Sequence, residues 1–207
     1  MKQNKINKKF VYLISPNKIS NINFYDDLAL VLSSKKISFF QLRLKKETNL
    51  NKLIIGKKIK KICNKYKVKF LINDDPLLAK KLNADGCHLG QKDMDLIKAR
   101  KILKNKIIGV TCHNSINLAK RAINDGADYL AFGAFYATKT KTVKYRASLT
   151  VLKSIKKITS LPIVAIGGIK LNNYKKLLLN KANFLAISGY IWNNKKYKPL
   201  EAIRKLK

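Results

Sequence analysis

Eight short apolar runs, each followed by a longer segment whose apolar residues recur at helical spacing, dominate this sequence. Strict alternation of strand and helix with short connections predicts a parallel sheet, and eight such units predict a closed barrel. The predicted fold class is therefore α/β, a single (β/α)₈ TIM barrel formed by residues 1–207. The strand candidates are FVYLI (10–14), SFFQLR (38–43), KFLIN (69–73), GCHLG (86–90), IIGVT (107–111), YLAFG (129–133), PIVAIG (162–167) and FLAIS (184–188), and the helix candidates include 49–66, 93–103, 115–125, 148–158 and 171–179.

A faint internal repeat supports the barrel. The segments NADGCHLG, GADYLAFG and KANFLAISG share an alanine, an Asp or Asn, a short apolar strand and a glycine. Asp85, Asp128 and Asn183 thus fall at the N-terminal ends of strands, where a short polar side chain is expected to close the preceding turn. We assign these three residues to stability, because the chemistry of such barrels belongs at the C-terminal ends of the strands.

The net charge of +34, from 45 Lys and Arg against 11 Asp and Glu, raises the question of a nucleic-acid partner. Only five of the basic residues are arginine, the side chain best suited to base reading and bidentate phosphate contacts. The lysines occupy solvent-type positions on nearly every helical segment, as biased composition would produce. We expect no specific nucleic-acid partner and only weak, salt-sensitive adhesion.

Cysteine usage and the N-terminal segment bear on location. The three cysteines include no C-x-x-C pair, so neither a disulfide framework nor a cysteine-only zinc site is indicated. The first apolar run, 10–14, is too short for a secretory signal or a membrane span. We expect a cytoplasmic protein with no membrane partner. A homo-oligomer is compatible with the sequence.

Two aspartates follow neighbouring predicted strands and suggest a divalent cation. Asp74 follows the third strand, and Asp93 lies in the loop after the fourth. Together they could supply two oxygen ligands to Mg²⁺, with phosphate oxygens and water completing the coordination. Equally, Asp93 could cap the helix that it begins, and Asp74 could belong to a turn. The spacing leaves both interpretations open.

Anion-binding groups also collect at the predicted C-terminal ends. Alternation directs Gln41, Arg43 and Lys45 to one side of the second strand. The loop GAFYATKTK after the sixth strand offers hydroxyls and an ammonium group, and the glycine turns after the seventh and eighth strands could cradle a phosphate with backbone N–H groups. Two anion sites are predicted: Arg43, Lys45, Lys141 and the metal for a diphosphate, and Thr138, Thr140, Gly168 and Ser188 for a second phosphate.

The two histidines carry weaker signals. His88 is expected to pack at a strand end, and neither histidine has a partner at zinc-ligand spacing. His113 could act as an acid or base, although a hydrogen-bonded structural role is favoured. Cys112 beside it is a poor candidate nucleophile, because adjacent strand residues face opposite ways.

Taken in order, the motifs FQLRLK, LINDDPLLAKKLNADGCHLGQKDM, IIGVTCHNS, DYLAFGAFYATKTK, VAIGGI and LAISGYIWN resemble the thiamine phosphate synthase family over roughly residues 10 to 195. The resemblance implies a (β/α)₈ barrel. It also implies an enzyme that joins hydroxymethylpyrimidine diphosphate to thiazole phosphate, releasing pyrophosphate and forming thiamine phosphate with Mg²⁺.

Position by position, the resemblance implies three groups of site residues. The pyrimidine diphosphate would be bound by Gln41, Leu42, Arg43, Leu44, Lys45, Asn73, Thr111 and Lys141, of which Arg43, Lys45 and Lys141 would be catalytic. The thiazole phosphate would be bound by Thr138, Lys139, Thr140, Gly168, Ile187 and Ser188. The Mg²⁺ ligands would be Asp74 and Asp93.

The chain departs from the family pattern at a few positions. Thr111 replaces a commoner serine and keeps the hydroxyl, Ala137 replaces a frequent proline, and Leu44 and Asp75 stand where the family often has an acid and an arginine. A related thiazole tautomerase shares the barrel and the thiazole phosphate cradle but typically lacks the full pyrophosphate and metal set. Retention of Asp93 together with Thr138, Thr140 and Lys141 therefore favours the synthase over the tautomerase, which has no diphosphate charge to neutralise.

Overall fold

The computed structural model describes residues 9–19, 22–138 and 144–207. Eight parallel strands form a closed barrel in chain order, with the last strand paired to the first. This confirms the predicted (β/α)₈ fold. The strands are β1 (Val11–Ile14), β2 (Ile37–Leu42), β3 (Lys69–Asn73), β4 (Gly86–Leu89), β5 (Ile107–His113), β6 (Tyr129–Gly133), β7 (Ile163–Ile166) and β8 (Phe184–Ile187).

Helices cover the outside of the barrel. They are α1 (Phe24–Ser33), α2 (Asn49–Lys65), α3 (Pro76–Lys81), α4 (Leu96–Leu103), α5 (Ile116–Asn124), α6 (Leu149–Ile155), α7 (Tyr174–Leu179), α8 (Gly189–Trp192) and α9 (Pro199–Lys205). Three predicted helices were too long by three residues at one end: α4 begins at Leu96 rather than at 93, α6 ends at Ile155 rather than at 158, and α7 begins at Tyr174 rather than at 171. Among the described residues, none of the helices is long and apolar enough to cross a membrane.

Two apolar layers follow from strand alternation. Side chains that point inward fill the barrel and include Tyr12, Leu71, Tyr129 and Val164. Those that point outward, such as Phe40 and Leu42, pack against the helices in the larger core. Polar groups inside the barrel therefore need partners within it.

The sequence repeat has a structural cause, which corrects one detail of its interpretation. The side chain of Asp85 accepts a hydrogen bond from the backbone N–H of Phe70 at 2.9 Å, Asp128 from Ile108 at 2.7 Å and Asn183 from Ile163 at 2.8 Å. Each residue therefore ties its own strand to the start of the preceding strand, rather than closing the preceding turn. In each case its own N–H also donates to the same partner's carbonyl at 2.8 Å.

Candidate active site

The C-terminal ends of β2 and β3 supply the first part of the candidate site. Gln41 is 2% exposed and donates through Nε2 to Oδ1 of Asn73 at 2.6 Å. Leu42 and Leu44 are buried in the outer core, so only their backbone atoms are available to a ligand. Alternation along β2 thus separates the polar residues from these two leucines, as the sequence predicts.

Arg43 is held by residues after β1 that the sequence argument overlooked. Its Nη1 donates to Oδ1 of Asn17 at 2.8 Å, and its backbone N–H donates to Oγ of the buried Ser15 at 2.9 Å. Burial lowers the pKa of Arg43 from its ordinary value, while the charge of Asp74 acts in the opposite direction. The SPN segment after the first apolar run was the available signal, because the end of the first strand also faces the site.

Lys45, Asp74 and Asp93 form a charged cluster beside Arg43. Nζ of Lys45 lies 2.9 Å from Oδ2 of Asp74. Asp74 has a φ of 65° and donates its N–H to the carbonyl of His88 at 2.8 Å. Its position just after β3 brings its carboxyl group close enough to that of Asp93 for each to shift the pKa of the other.

The alternative in which Asp93 caps the following helix is wrong. The residue that caps α4 is Asp95, whose Oδ1 accepts from the N–H of Ile97 at 3.0 Å. Asp93 instead accepts a hydrogen bond from the N–H of Gly90 at 2.7 Å within the loop after β4. Its carboxylate is therefore oriented by the loop and not by the helix.

The two carboxylates affect each other's proton affinity. Burial raises the pKa of Asp93, and the hydrogen bond and negative charge of Asp74 raise it further. Burial opposes ionisation of Asp74 as well, but hydrogen bonds with Asp93 and Lys45 outweigh it and lower the pKa of Asp74. A divalent cation between the two carboxyl groups would favour the ionised form of both.

The donor set fits Mg²⁺ rather than zinc. Within the described part of the chain, no group of three or more His, Cys, Asp or Glu side chains converges as a metal site. A cation at Asp74 and Asp93 would thus take its other ligands from substrate oxygens and water, which is the usual environment of Mg²⁺.

Thr111 on β5 lies at the same end of the barrel and contacts the interior. Its Oγ1 is 2.8 Å from Nε2 of His88, whose ring is 8% exposed and stacks on Tyr129. His88 lies near the end of β4 as expected, but its ring belongs to a hydrogen-bonded group inside the barrel. Tyr12 and Tyr129 were not predicted as part of the site, because a tyrosine within an apolar run indicates only a strand residue.

The loop after β6 lies against the glycine turn after β7. The N–H of Phe135 donates to Ile166 O, and that of Tyr136 donates to Gly167 O, each at 3.1 Å. A Cβ on Gly168 would lie 2.2 Å from the carbonyl oxygen of Ala137, so only glycine permits this approach. Thr138 is therefore brought next to the glycine turn, whereas Lys139, Thr140 and Lys141 fall outside the described residues.

Strand β8 ends at the same rim. Ile187 is 1% exposed and its side chain packs in the outer core, which leaves its backbone for a ligand. Oγ of Ser188 donates to the carbonyl of Ser15 at 3.0 Å. Ser188 thus connects the ends of β8 and β1.

His113 and Cys112 follow Thr111 but differ from it. A register irregularity in the β5–β6 pairing separates Thr111 from His113, whose ring contacts that of Tyr145 at 4.4 Å between centroids. Burial raises the pKa of the Cys112 thiol to about 12, with Arg121 acting in the opposite direction. A neutral buried thiol is a poor nucleophile, which agrees with the sequence argument.

A closed barrel with charged and polar side chains gathered at the C-terminal ends of its strands defines the class of (β/α)₈ enzymes. The family model described as thiamine monophosphate synthase matches residues 11–191. The chain belongs to this family.

Individual relatives agree with the family. The chain is 98% identical over 207 residues to a thiamine-phosphate synthase of Pelagibacter ubique, covering 100% of both chains. It is 45% identical over 150 residues to that of Marinobacter nauticus, covering 72% of this chain and 67% of the relative. Among solved structures, a thiamine phosphate pyrophosphorylase from Pyrococcus furiosus superposes with a TM-score of 0.83 at 26% identity, covering 97% of this chain and 94% of that one.

Proposed function

We propose that this chain is a transferase that makes thiamine phosphate from hydroxymethylpyrimidine diphosphate and thiazole phosphate, with release of pyrophosphate. Family membership supports the reaction. The observation that carries the assignment is the Asp74 and Asp93 pair beside Lys45, because a diphosphate leaving group needs such charge compensation and a tautomerisation does not. The tautomerase alternative is not favoured by the relatives, which are synthases.

The diphosphate site in this proposal lies at the ends of β2 to β5. Arg43 and Lys45 contribute positive charge. Lys141, which lies outside the described residues, would contribute a third positive charge. Gln41, Asn73 and Thr111 provide polar side chains, and Leu42 and Leu44 can offer only backbone groups. Asp74 and Asp93 would hold Mg²⁺, which when bound neutralises charge on the phosphate oxygens.

The thiazole phosphate site in this proposal lies across the barrel mouth, at the ends of β6 to β8. Gly168 and the Ile187 backbone would approach the phosphate closely, and Thr138 would donate its hydroxyl proton. Ser188 would donate its hydroxyl proton only by giving up its hydrogen bond to the carbonyl of Ser15. Lys139 and Thr140 complete the set in the undescribed part of the loop. Binding there would align the thiazole nitrogen with the carbon that it attacks.

The chemical step needs charge stabilisation more than a strong base. The bond between the pyrimidine methylene carbon and the diphosphate oxygen breaks, and its electron pair leaves with pyrophosphate. The pyrimidine stabilises the resulting cation, and the thiazole nitrogen lone pair forms the new C–N bond. Arg43, Lys45 and Lys141 would stabilise the leaving group as its charge develops.

The direct test is to incubate the purified protein with both substrates and Mg²⁺ and to measure thiamine phosphate by oxidation to fluorescent thiochrome. Product that disappears on addition of EDTA and returns with excess Mg²⁺ is the expected result. A folded protein that binds thiazole phosphate but forms no product would refute the synthase and favour the tautomerase.

We also propose that residues 1–207 form a single domain, that the protein is cytoplasmic and that it forms a homo-oligomer. The reduced state of Cys63, Cys87 and Cys112, all buried and free, agrees with a cytoplasmic location.

A further inference from the structure

A chain of four hydrogen-bonded side chains crosses the barrel interior and ends at the proposed diphosphate site. The hydroxyls of Tyr12 and Tyr129 are 2.8 Å apart, and Tyr129 Oη is 2.8 Å from Nδ1 of His88. Nε2 of the same ring is 2.8 Å from Oγ1 of Thr111. The chain thus runs from β1 through β6 and β4 to β5.

The inner end of this chain determines its direction. Tyr12 is 1% exposed, and its apolar neighbours include Phe39, Leu71 and Val164. Within residues 9–19, 22–138 and 144–207, its hydroxyl has Tyr129 as its one hydrogen-bond partner. The Tyr12 proton can therefore be satisfied only by donation to Tyr129, since a buried donor without an acceptor is strongly disfavoured.

Donation by Tyr12 determines the direction of every other hydrogen bond in the series. Tyr129 accepts from Tyr12 and must therefore donate its own hydroxyl proton in a hydrogen bond to Nδ1 of His88. A neutral imidazole that accepts at Nδ1 carries its proton on Nε2, which then donates to Oγ1 of Thr111. The hydroxyl proton of Thr111 is left to point away from His88, towards the mouth of the barrel.

Two other arrangements, the reversed series of hydrogen bonds and a positively charged His88 ring, both leave the hydroxyl proton of Tyr12 without an acceptor. An N–H at Nδ1 would donate to Tyr129, which would then donate to Tyr12 and leave the Tyr12 proton without an acceptor. In that arrangement Thr111 could donate to Nε2 of His88 and would present only lone pairs to a ligand. Lone pairs would repel a phosphate oxygen.

We propose that His88 is a positioning residue, held by Tyr12 and Tyr129 as the Nε2–H tautomer, and that it makes Thr111 an obligate hydrogen-bond donor to a phosphate oxygen of the pyrimidine diphosphate. The identity of the ligand rests on the proposed function. The tautomer of His88 does not rest on the proposed function, because it follows from the hydrogen-bond partners inside the barrel alone.

Imidazole ¹⁵N NMR tests the tautomer without any substrate. The chain has only two histidines, so in the His113→Gln variant every imidazole signal comes from His88. At about pH 8, above the ordinary imidazole pKa of about 6.5, we expect a protonated Nε2 and an unprotonated Nδ1. Tyr12→Phe removes the proton that sets the direction and should give a mixture of tautomers. An Nδ1–H tautomer in the protein without the Tyr12 change would overturn the proposal.

Steady-state kinetics test the donor role. Thr111→Val should raise KM for the pyrimidine diphosphate about 10- to 100-fold, the range for a hydrogen bond to a charged group, and leave KM for thiazole phosphate unchanged. Thr111→Ser should restore binding. His88→Gln, whose amide can still donate to Thr111, should lie closer to the parent protein than His88→Leu. Equal losses for both substrates would indicate a merely structural role and contradict the proposal.

The two proposals can fail separately. If the protein forms no thiamine phosphate, inorganic pyrophosphate with Mg²⁺ becomes the probe, with affinity measured by calorimetry. Weaker pyrophosphate binding by Thr111→Val than by Thr111→Ser would then support the donor role. Equal affinities for these two variants would refute that role whatever the reaction is.

Discussion

Nζ of Lys45 lies 2.9 Å from Oδ2 of Asp74, so an ammonium group after β2 contacts a carboxylate after β3. The lysine side chain is 51% exposed and the aspartate side chain 26%. In a protein with 45 basic residues, this ion pair matters for its position rather than its charge. It joins Lys45, which is proposed to bind the diphosphate, to Asp74, which is proposed to bind the metal, and both lie close to Asp93.

The first prediction concerns Asp93→Asn. The raised pKa of Asp93 means that folding disfavours its ionised form, so its contribution to stability is present at low pH and is lost as pH rises through that pKa. At neutral pH the neutral amide should therefore stabilise the metal-free protein, by no more than about 1 kcal/mol for a solvent-screened group. That corresponds to a Tm increase of about 2–4 °C. Activity should fall strongly in the same variant.

Calorimetry with and without Mg²⁺ checks this prediction. Mg²⁺ should raise the Tm of the parent protein by binding the folded state and should have little effect on Asp93→Asn. A variant that is less stable than the parent at neutral pH and still responds to Mg²⁺ would contradict the assignment of Asp93 as a ligand.

The second prediction concerns Lys45→Met. Removal of the ammonium group deletes a hydrogen bond that lowers the pKa of Asp74, so this pKa should rise. Turnover should fall about 10- to 1000-fold, as for other lost groups that stabilise developing charge. Lys57→Met on the exposed face of α2 is the matched control and should behave like the parent. Comparable kcat values in the two variants would show that Lys45 takes no part in the reaction.

The third prediction compares two glycines with positive φ. Gly126 has a φ of 88° and open space where a Cβ would stand, whereas Gly168 has a φ of 62° and the carbonyl of Ala137 at 2.2 Å. Gly126→Ala should cost about 1 kcal/mol of folding free energy through strain alone and leave the kinetics intact. Gly168→Ala should cost more and raise KM for thiazole phosphate by displacing the loop that carries Thr138.

Urea denaturation and KM measurements on both variants separate these effects. An unchanged KM for thiazole phosphate in a folded Gly168→Ala protein would exclude this turn from the phosphate site.

The fourth prediction tests the strand-linking repeat. Asn183→Ala leaves the backbone N–H of Ile163 without its side-chain acceptor and should cost about 1–3 kcal/mol. Asn180→Ala, which removes an exposed hydrogen bond to the carbonyl of Lys176, should stay within about 0.5 kcal/mol. Chemical denaturation measures both, and kcat at a temperature where both are folded should match the parent. Equal stability of the two variants would mean that the Asn183 side chain does not stabilise the barrel.

Much of the site could be predicted because barrel topology relates strand order to position. Once residues 69–73 and 86–90 are recognised as neighbouring parallel strands, Asp74 and Asp93 must lie near each other at one rim. The sequence could not distinguish Asp93 from a helix cap, because Asp95 two residues later is also an aspartate before an apolar segment. Only the loop geometry, with Gly90 N–H bound to Asp93, separates the two roles.

By itself, the sequence determined the eightfold alternation, the polar rim and the family, because these depend on local periodicity and on ordered motifs. The tertiary structure decided which partners the polar side chains take. Ser15 and Asn17 hold Arg43, and Tyr12 reaches Tyr129 across 117 residues of chain. Hydrogen bonds of this kind require atoms within about 3 Å. Barrel closure, with β8 paired to β1, brings such distant residues together, and no local pattern in the sequence encodes their distances.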